Sequence, residues 1–317
     1  MLLGACAGEQ QPERPQAGLA NDPLPTVVVA AAASSATPIP TAEPTATLIP
    51  TETPTITITP TTTITSTPLP LYPVYEGMPL DREQMGVQIH IHREDLPEIM
   101  GHLRSLGVGW VKVQVSWKLY ESQPGQYTDR FGELDRLVSL AEANDIEVLL
   151  GVSKAPEWSR PTTELDGPPG DYSLFTTFMT TLASRYQGRV TAYELWNEPN
   201  LQREWNGSPL SAADVVRLIA AGAAGVRAAD PQAILISAAP ATTGINDGVT
   251  AIDDRVFLRG MLEAGIADHV DAIGVHPYGW ANPPDSSVAE PDPDVPSHNN
   301  HPSFFFADTL KDYAALL

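Results

Sequence analysis

From about residue 73 onward, short apolar runs alternate with longer stretches in which apolar residues recur at helical spacing. The runs GVQIHI, WVKVQVSW, IEVLLGVS, TAYELW, AILISAA and DAIGVH are short and nearly continuous in apolar character, as strands covered on both faces are. Between them, Leu96, Ile99, Leu103 and Leu106 fall on one helical face, and Phe131, Leu134, Val138 and Ala141 on another. SAAD at 211–214 is a capping-box-like start for a helix running toward Ala228, and SFFFADTLKDYAALL predicts a final helix. Repeated strand–helix units of this kind specify an α/β fold with a parallel sheet and helices outside it.

Two architectures satisfy that alternation, a doubly wound sheet and a (β/α)8 TIM barrel. The polar residues separate them. Trp117, Trp158, Glu198, and His276 with Tyr278 all fall just past the C-terminal ends of different strands. Barrels gather site residues from many strand ends on that face, whereas a doubly wound sheet concentrates them at one switch point. No glycine-rich phosphate loop is present. The barrel is therefore expected, with about six βα units of the full eight. An open arrangement of that kind would leave two edge strands and an uncovered apolar interior.

The stretch before residue 73 changes the picture. Between Asn21 and Tyr72 there is no Lys, Arg or Trp, and TPIPTAEPTATLIPTETPTITITPTTTITSTP repeats threonine and proline. Such a tract buries too little apolar surface to offset its chain entropy, and reads as a disordered, semi-rigid extracellular spacer over 7–72. Residues 1–6, MLLGAC, resemble the end of a bacterial lipoprotein signal, with Leu3-Gly4-Ala5-Cys6 as the lipobox and Cys6 as the lipidated residue. The basic and most of the apolar parts of such a signal are missing. The expected organisation is thus a signal remnant at 1–6, a linker at 7–72 and a barrel domain at 73–317, tethered at the cell surface through a lipid anchor.

Charge and cysteine usage narrow the partners. A formal net charge of -21 argues against nucleic acid and against anionic membrane surfaces, and leaves a neutral glycan open. One cysteine excludes an intrachain disulfide and any cysteine-built metal site.

The candidate chemistry centres on YELWNEPN at 193–200, which places Glu198 at the end of an apolar strand. YELWNEPNL resembles the fourth-strand motif of the retaining glycoside hydrolases of clan A, which are (β/α)8 barrels. The surrounding sequence is most similar to glycoside hydrolase family 39. GVGWVKVQVSWKLYESQPGQYTDRFGELDRLVSLAEANDIEVLLGVSKAPEW resembles the second and third units of that family, and IGVHPYGW its sixth strand. The likeness covers about residues 84–317. It implies Glu198 as general acid/base, no cofactor, and a polysaccharide or oligosaccharide as substrate. It also implies that His276 and Tyr278 line the cleft, with the tyrosine bonding the nucleophile. That nucleophile, a glutamate at the end of the seventh strand, is expected beyond Leu317.

The physical case runs beside the resemblance. A glycosidic oxygen is a poor leaving group and must be protonated as its bond breaks. The acid needs a raised pKa, which a cleft walled by Trp196 and Trp158 would supply by desolvation. Asn197 would bond the sugar hydroxyl next to the reacting carbon. Strict alternation puts Asn197 and Glu198 on opposite faces, so the strand must end in a bulge or turn there. Trp117 and Trp158 are candidates for stacking on sugar rings, with Trp280 and Trp205 weaker ones. Among other acids, Glu121 reads as a loop support, Glu157 as a rim residue and Glu194 as a deeper strand position.

Two further classes compete. A non-catalytic carbohydrate-binding barrel would keep the aromatic cleft and lack the nucleophile. A metal-dependent hydrolase would use His90 and His92 of IHIH, spaced to share a strand face, but AILISAAPA lacks the further histidine such sites use. No metal site is expected, and in the glycosidase reading His90 or His92 lines the sugar subsite.

Overall fold

A computed structural model describes residues 81–294 and 301–317. Cys6, the Thr/Pro-rich segment, the domain start near Pro73 and loop residues 295–300 lie outside the described residues. Short apolar runs with β-branched residues form five parallel strands: β1 (Gly86–Ile89), β2 (Trp110–Ser116), β5 (Glu147–Ser153), β6 (Ala192–Asn197) and β7 (Ile234–Ala239). They lie in the order β1-β2-β5-β6-β7, each pair parallel. A small antiparallel hairpin, β3 (Glu121–Gln123) and β4 (Gln126–Tyr127), follows β2. Between strands run α1 (Leu96–Leu106), α3 (Arg130–Glu142), α4 (Tyr172–Arg185), α5 (Ala212–Ala229) and α6 (Asp254–Glu263), with a one-turn α2 (Trp117–Tyr120) and a last helix α7 (Phe306–Leu316).

Consecutive parallel strands in spatial order, each followed by a crossover helix, make this a partial TIM-type (β/α) barrel wall. The sixth predicted strand, DAIGVH, is reduced to two isolated parallel bridges, Ile236–Ala272 and Ala241–His276. The reason lies at Gly274. Its N–H is taken by the Ser237 hydroxyl at 3.0 Å rather than by a backbone carbonyl, which interrupts the ladder. A Cβ there would sit 2.5 Å from the Ser237 carbonyl oxygen, so only glycine lets the segment lie against β7.

The two faces of the sheet differ chemically. Val111, Val113 and Val115, then Val148, Leu150 and Val152, then Tyr193, Leu195 and Leu235 pack outward into the main core against the helices. Phe131, Leu134, Leu137, Val138 and Ala141 of α3 complete that layer, as the helical spacing predicts. In α1 the buried stripe is Leu96, Met100 and Leu103; Leu106, expected on that face, is exposed at the last helical position before the left-handed Gly107 cap. Ser211 caps α5 by accepting a bond from the Asp214 N–H at 3.3 Å. The opposite face of the sheet is not the apolar interior expected of an open barrel. Besides a small patch of Trp110, Leu149, Ala192 and Ile236, it carries the ion pair Lys112–Glu194 and the exposed Gln114.

Candidate active site

The end of β6 abandons regular strand geometry. Trp196 has φ 88° and Glu198 φ 44°, both left-handed, on either side of Asn197. Such conformations cost about 1–3 kcal/mol each in a non-glycine residue and are held only by their surroundings. Two bonds do the holding: the Glu198 N–H donates to the Ala239 carbonyl at 3.0 Å, and the Leu201 N–H to the Glu198 carbonyl at 3.1 Å. The break in alternation predicted from the sequence is thus present. It keeps Asn197 half-buried and in register with Ala239 of β7 while redirecting Glu198.

Glu198 is 8% exposed. Its Oε1 lies 3.2 Å from His276 Nδ1, and its Oε2 accepts from Arg203 Nη2 at 3.3 Å. Burial pushes the Glu198 carboxyl up, but the hydrogen bond and charge of His276, helped by Arg203, outweigh it and hold the group below the usual carboxylate range. The expectation of a raised value is therefore overturned for these residues, because His276 and Arg203 reach the carboxylate that the tryptophans were to desolvate. Glu204 behaves oppositely: burial raises it, with the Glu198 charge adding and Lys154 and Arg203 opposing.

His276 sits at the bridge to Ala241, buried, its ring edge-on to Tyr278 with centroids 5.7 Å apart. Tyr278 is half-buried beside it. The other face of His276 looks deeper: Nε2 stands 3.7 Å from Glu194 Oε1, and Glu194 Oε2 is held by Lys112 Nζ at 2.5 Å. Lys112, Glu194, His276, Glu198 and Arg203 form a continuous chain of ionisable side chains through this end of the sheet.

The aromatic expectations divide. Trp117 does not line a cleft. Its ring is fully buried, stacked on Phe178 at 5.0 Å, and its Nε1 donates to Glu121 Oε2 at 2.7 Å. The chain turns into α2 directly after β2, which carries that side chain into the layer between sheet and helices. Trp196 is likewise 1% exposed, edge-on to Phe175 and Trp205, and backs the site from within the core rather than walling a cleft. Trp205 is fully buried as well, while Trp280 is exposed. Trp158 is half-buried, its Nε1 bonded to the Glu121 carbonyl at 3.2 Å, and keeps an accessible edge. Glu121 also accepts from the Gly125 N–H at 2.7 Å and so anchors the β3–β4 hairpin.

His90 and His92 lie beyond β1, which ends at Ile89, so they do not share a strand face. His90 is exposed, while His92 turns to Glu133 of α3 at 2.8 Å. Among the described residues, no cluster of three or more His, Cys, Asp or Glu is arranged to hold a metal ion. Asn200 was not singled out by its sequence position. It is fully buried and accepts from the Ala241 N–H, while donating to the Ala241 and Ile252 carbonyls. Its only sequence signal is a polar residue just after the Glu198 turn.

Glu198, buried at the end of the fourth parallel strand, thus faces His276 from the reduced sixth strand, on a parallel (β/α) sheet of the kind found in clan A glycosidase barrels. The chain belongs to the cellulase family, glycosyl hydrolase family 5, whose model matches residues 76–304. No curated protein matches it. Among solved structures, a family 39 glycoside hydrolase from the gut symbiont Bacteroides cellulosilyticus WH2 is similar at 22% identity and TM-score 0.51. The match covers 64% of this chain and 40% of that one. Endo-glycoceramidase II from Rhodococcus sp. matches at 18% identity and TM-score 0.40, over 51% of this chain and 48% of that one. Pseudomonas stutzeri endoglucanase Cel5A matches at 18% identity and TM-score 0.36, over 44% and 42%. At these identities the first likeness shows a shared fold, and the other two fall too low to carry an argument. The chain spans 40% of the length of the family 39 enzyme.

Proposed function

We propose that the full-length protein hydrolyses O-glycosidic bonds in an extracellular poly- or oligosaccharide by retaining double displacement, with Glu198 as general acid/base. The observation that supports this most is the placement of Glu198: buried, turned off the strand by a left-handed backbone, and bonded to His276 at 3.2 Å.

We place the second carboxylate, a glutamate at the end of a seventh strand, outside the described residues. Glu194 is engaged by Lys112 and His276, and Glu121 by Trp117 and Gly125, so neither is free to attack a sugar carbon. A nucleophilic glutamate about 5–5.5 Å from Glu198 would complete the pair. It would also correct the protonation state, since a like charge at that distance raises the Glu198 pKa against the pull of His276 and Arg203. In the first step Glu198 would give its proton to the leaving oxygen as the glycosidic bond breaks and the nucleophile bonds the sugar carbon. In the second it would take a proton from the attacking water. Asn197, Tyr278, Trp158 and His90 are proposed to bind the sugar.

The test uses the full-length protein. Glu198→Ala should lose about 10²–10⁴-fold in kcat on glycosides with poor leaving groups. It should regain turnover with azide on an activated aryl glycoside, giving a glycosyl azide of retained configuration. Unchanged turnover in this variant sinks the proposal. The surface location is proposed with it: Cys6 carries the lipid and residues 7–72 act as spacer. Loss of radiolabelled fatty acid from a Cys6→Ser variant expressed in a bacterial host would support that placement, and absence of label on the parent would refute it.

A further inference from the structure

Glu194 is a charged side chain in the middle of a strand, 6% exposed, where an apolar residue would pack more cheaply. Its partner Lys112 is on β2, and β5 lies between β2 and β6 in the sheet. The pair closes over β5 because the residue beneath it is Gly151. A Cβ at that position would stand 3.1 Å from Glu194 Oε2 and 3.5 Å from Lys112 Cε. Three strands thus contribute to one contact. Glu194 then presents its other oxygen to His276 Nε2 at 3.7 Å, on the opposite edge of the ring from Glu198.

We propose that Glu194, held by Lys112 through the gap at Gly151, is a positioning residue that keeps a proton on the His276 edge facing it and so fixes the proton shared between His276 and Glu198. The inference rests on the reading of Glu198 as acid/base. Its logic is one of lone pairs. With the Glu194 carboxylate opposite Nε2, a bare nitrogen there would face an anion, so Nε2 carries hydrogen. At Nδ1 and Glu198 Oε1, 3.2 Å apart, two unprotonated atoms would repel. One proton therefore lies between them, either as imidazolium against carboxylate or as neutral imidazole accepting from the carboxylic acid. The second form is the one that donates to a leaving group. When Glu198 gives up that proton and later recovers one from water, Nε2–H and Glu194 keep the ring in place.

The other charged and titratable groups facing this assembly are Arg203 and Glu204 beside Glu198, and Tyr278 beside His276. The two ends of the histidine face different carboxylates, Glu194 at Nε2 and Glu198 at Nδ1, and can be tested separately. The negative charge of Glu194 stabilises the shared proton, and the positive charge of Lys112 opposes it. Removing them should act in opposite directions. In Glu194→Gln the alkaline limb of kcat/KM against pH should move down by about one unit, and in Lys112→Met it should move up by a similar amount. Gly151→Ala, which crowds Glu194 without changing charge, should follow Glu194→Gln in direction. A purely structural role would lower activity in all three without moving the limb.

A second readout does not need turnover. In the 317-residue chain with labelled histidine, the ring ¹⁵N shifts of His276, assigned by their loss in His276→Asn, should show Nε2 protonated near neutral pH. In Glu194→Gln the signals should move toward exchange between tautomers. Nε2 found unprotonated in the parent chain, or limbs that move together in the two charge variants, overturns the inference. If instead Glu198→Ala keeps full activity while the His276 signals behave as described, the acid/base reading fails and the positioning contact stands.

Discussion

Asn200 and Ala241 exchange two hydrogen bonds. The Ala241 N–H donates to Asn200 Oδ1 at 2.7 Å, and Asn200 Nδ2 donates to the Ala241 carbonyl at 2.9 Å. The side-chain amide stands in for a strand, extending the β6–β7 pairing past the point where Glu198 turns away. A third bond, Nδ2 to the Ile252 carbonyl at 2.9 Å, ties in the loop before α6. Removing this side chain leaves buried backbone groups unpaired at about 1–3 kcal/mol each where water cannot replace it. Asn200→Ala is therefore expected to destabilise the domain by about 2–4 kcal/mol in urea unfolding. A loss below about 0.5 kcal/mol would mean that solvent reaches these groups.

Lys112 and Glu194 give a different signature. Breaking a buried pair strands a charge, whereas deleting both partners does not. Lys112→Met should cost about 3–5 kcal/mol, and Lys112→Met with Glu194→Leu distinctly less than that single change. Equal losses in the single and double variants would show that water enters and solvates Glu194.

Two glutamates near the site should show opposite pH dependence. Glu198 is held below its ordinary value of 4.5, so its contribution is present above that pH and is lost as pH falls through the folded-state value. The stability difference between the parent and Glu198→Gln should shrink as pH drops from neutral below about 4.5. Glu204 is held above its ordinary value of 4.5, so its ionisation opposes folding as pH rises through the folded-state value. Glu204→Gln should stabilise the domain at neutral pH and lose that gain in acid. Urea midpoints across pH for the two variants check both signs.

Gly274 tests the reduced sixth strand. A methyl group there meets the Ser237 carbonyl at 2.5 Å and displaces the Ser237 hydroxyl from the Gly274 N–H. Gly274→Ala should destabilise by about 1–3 kcal/mol and weaken the bridge that carries His276. Crystallography or the His276 ring signals would register the shift. An unchanged melting temperature would show that the segment moves aside freely.

The sequence by itself determined the element order and most of the strand ends. Parallel strands are covered on both faces, so WVKVQVS, EVLLGVS and ILISAA stand out as apolar runs whatever lies around them. It also determined that Glu198 ends a strand with its alternation broken, because Asn197, Glu198 and Pro199 cannot all continue a pleat. Tertiary structure decided the rest. Trp117 follows its strand as Trp158 follows another, yet one ring is enclosed against Phe178 and the other keeps an edge outside. Periodicity places a residue on a side of its own element and does not say what the neighbouring element presents there. The chain Lys112–Glu194–His276–Glu198 depends on the register of β2, β5 and β6 and on the missing side chain of Gly151. The direction of the Glu198 shift depends on His276, 78 residues away in sequence, and on Arg203. Local pattern encodes which face is wet or dry, while distance between charges is set only when separate strands come into register.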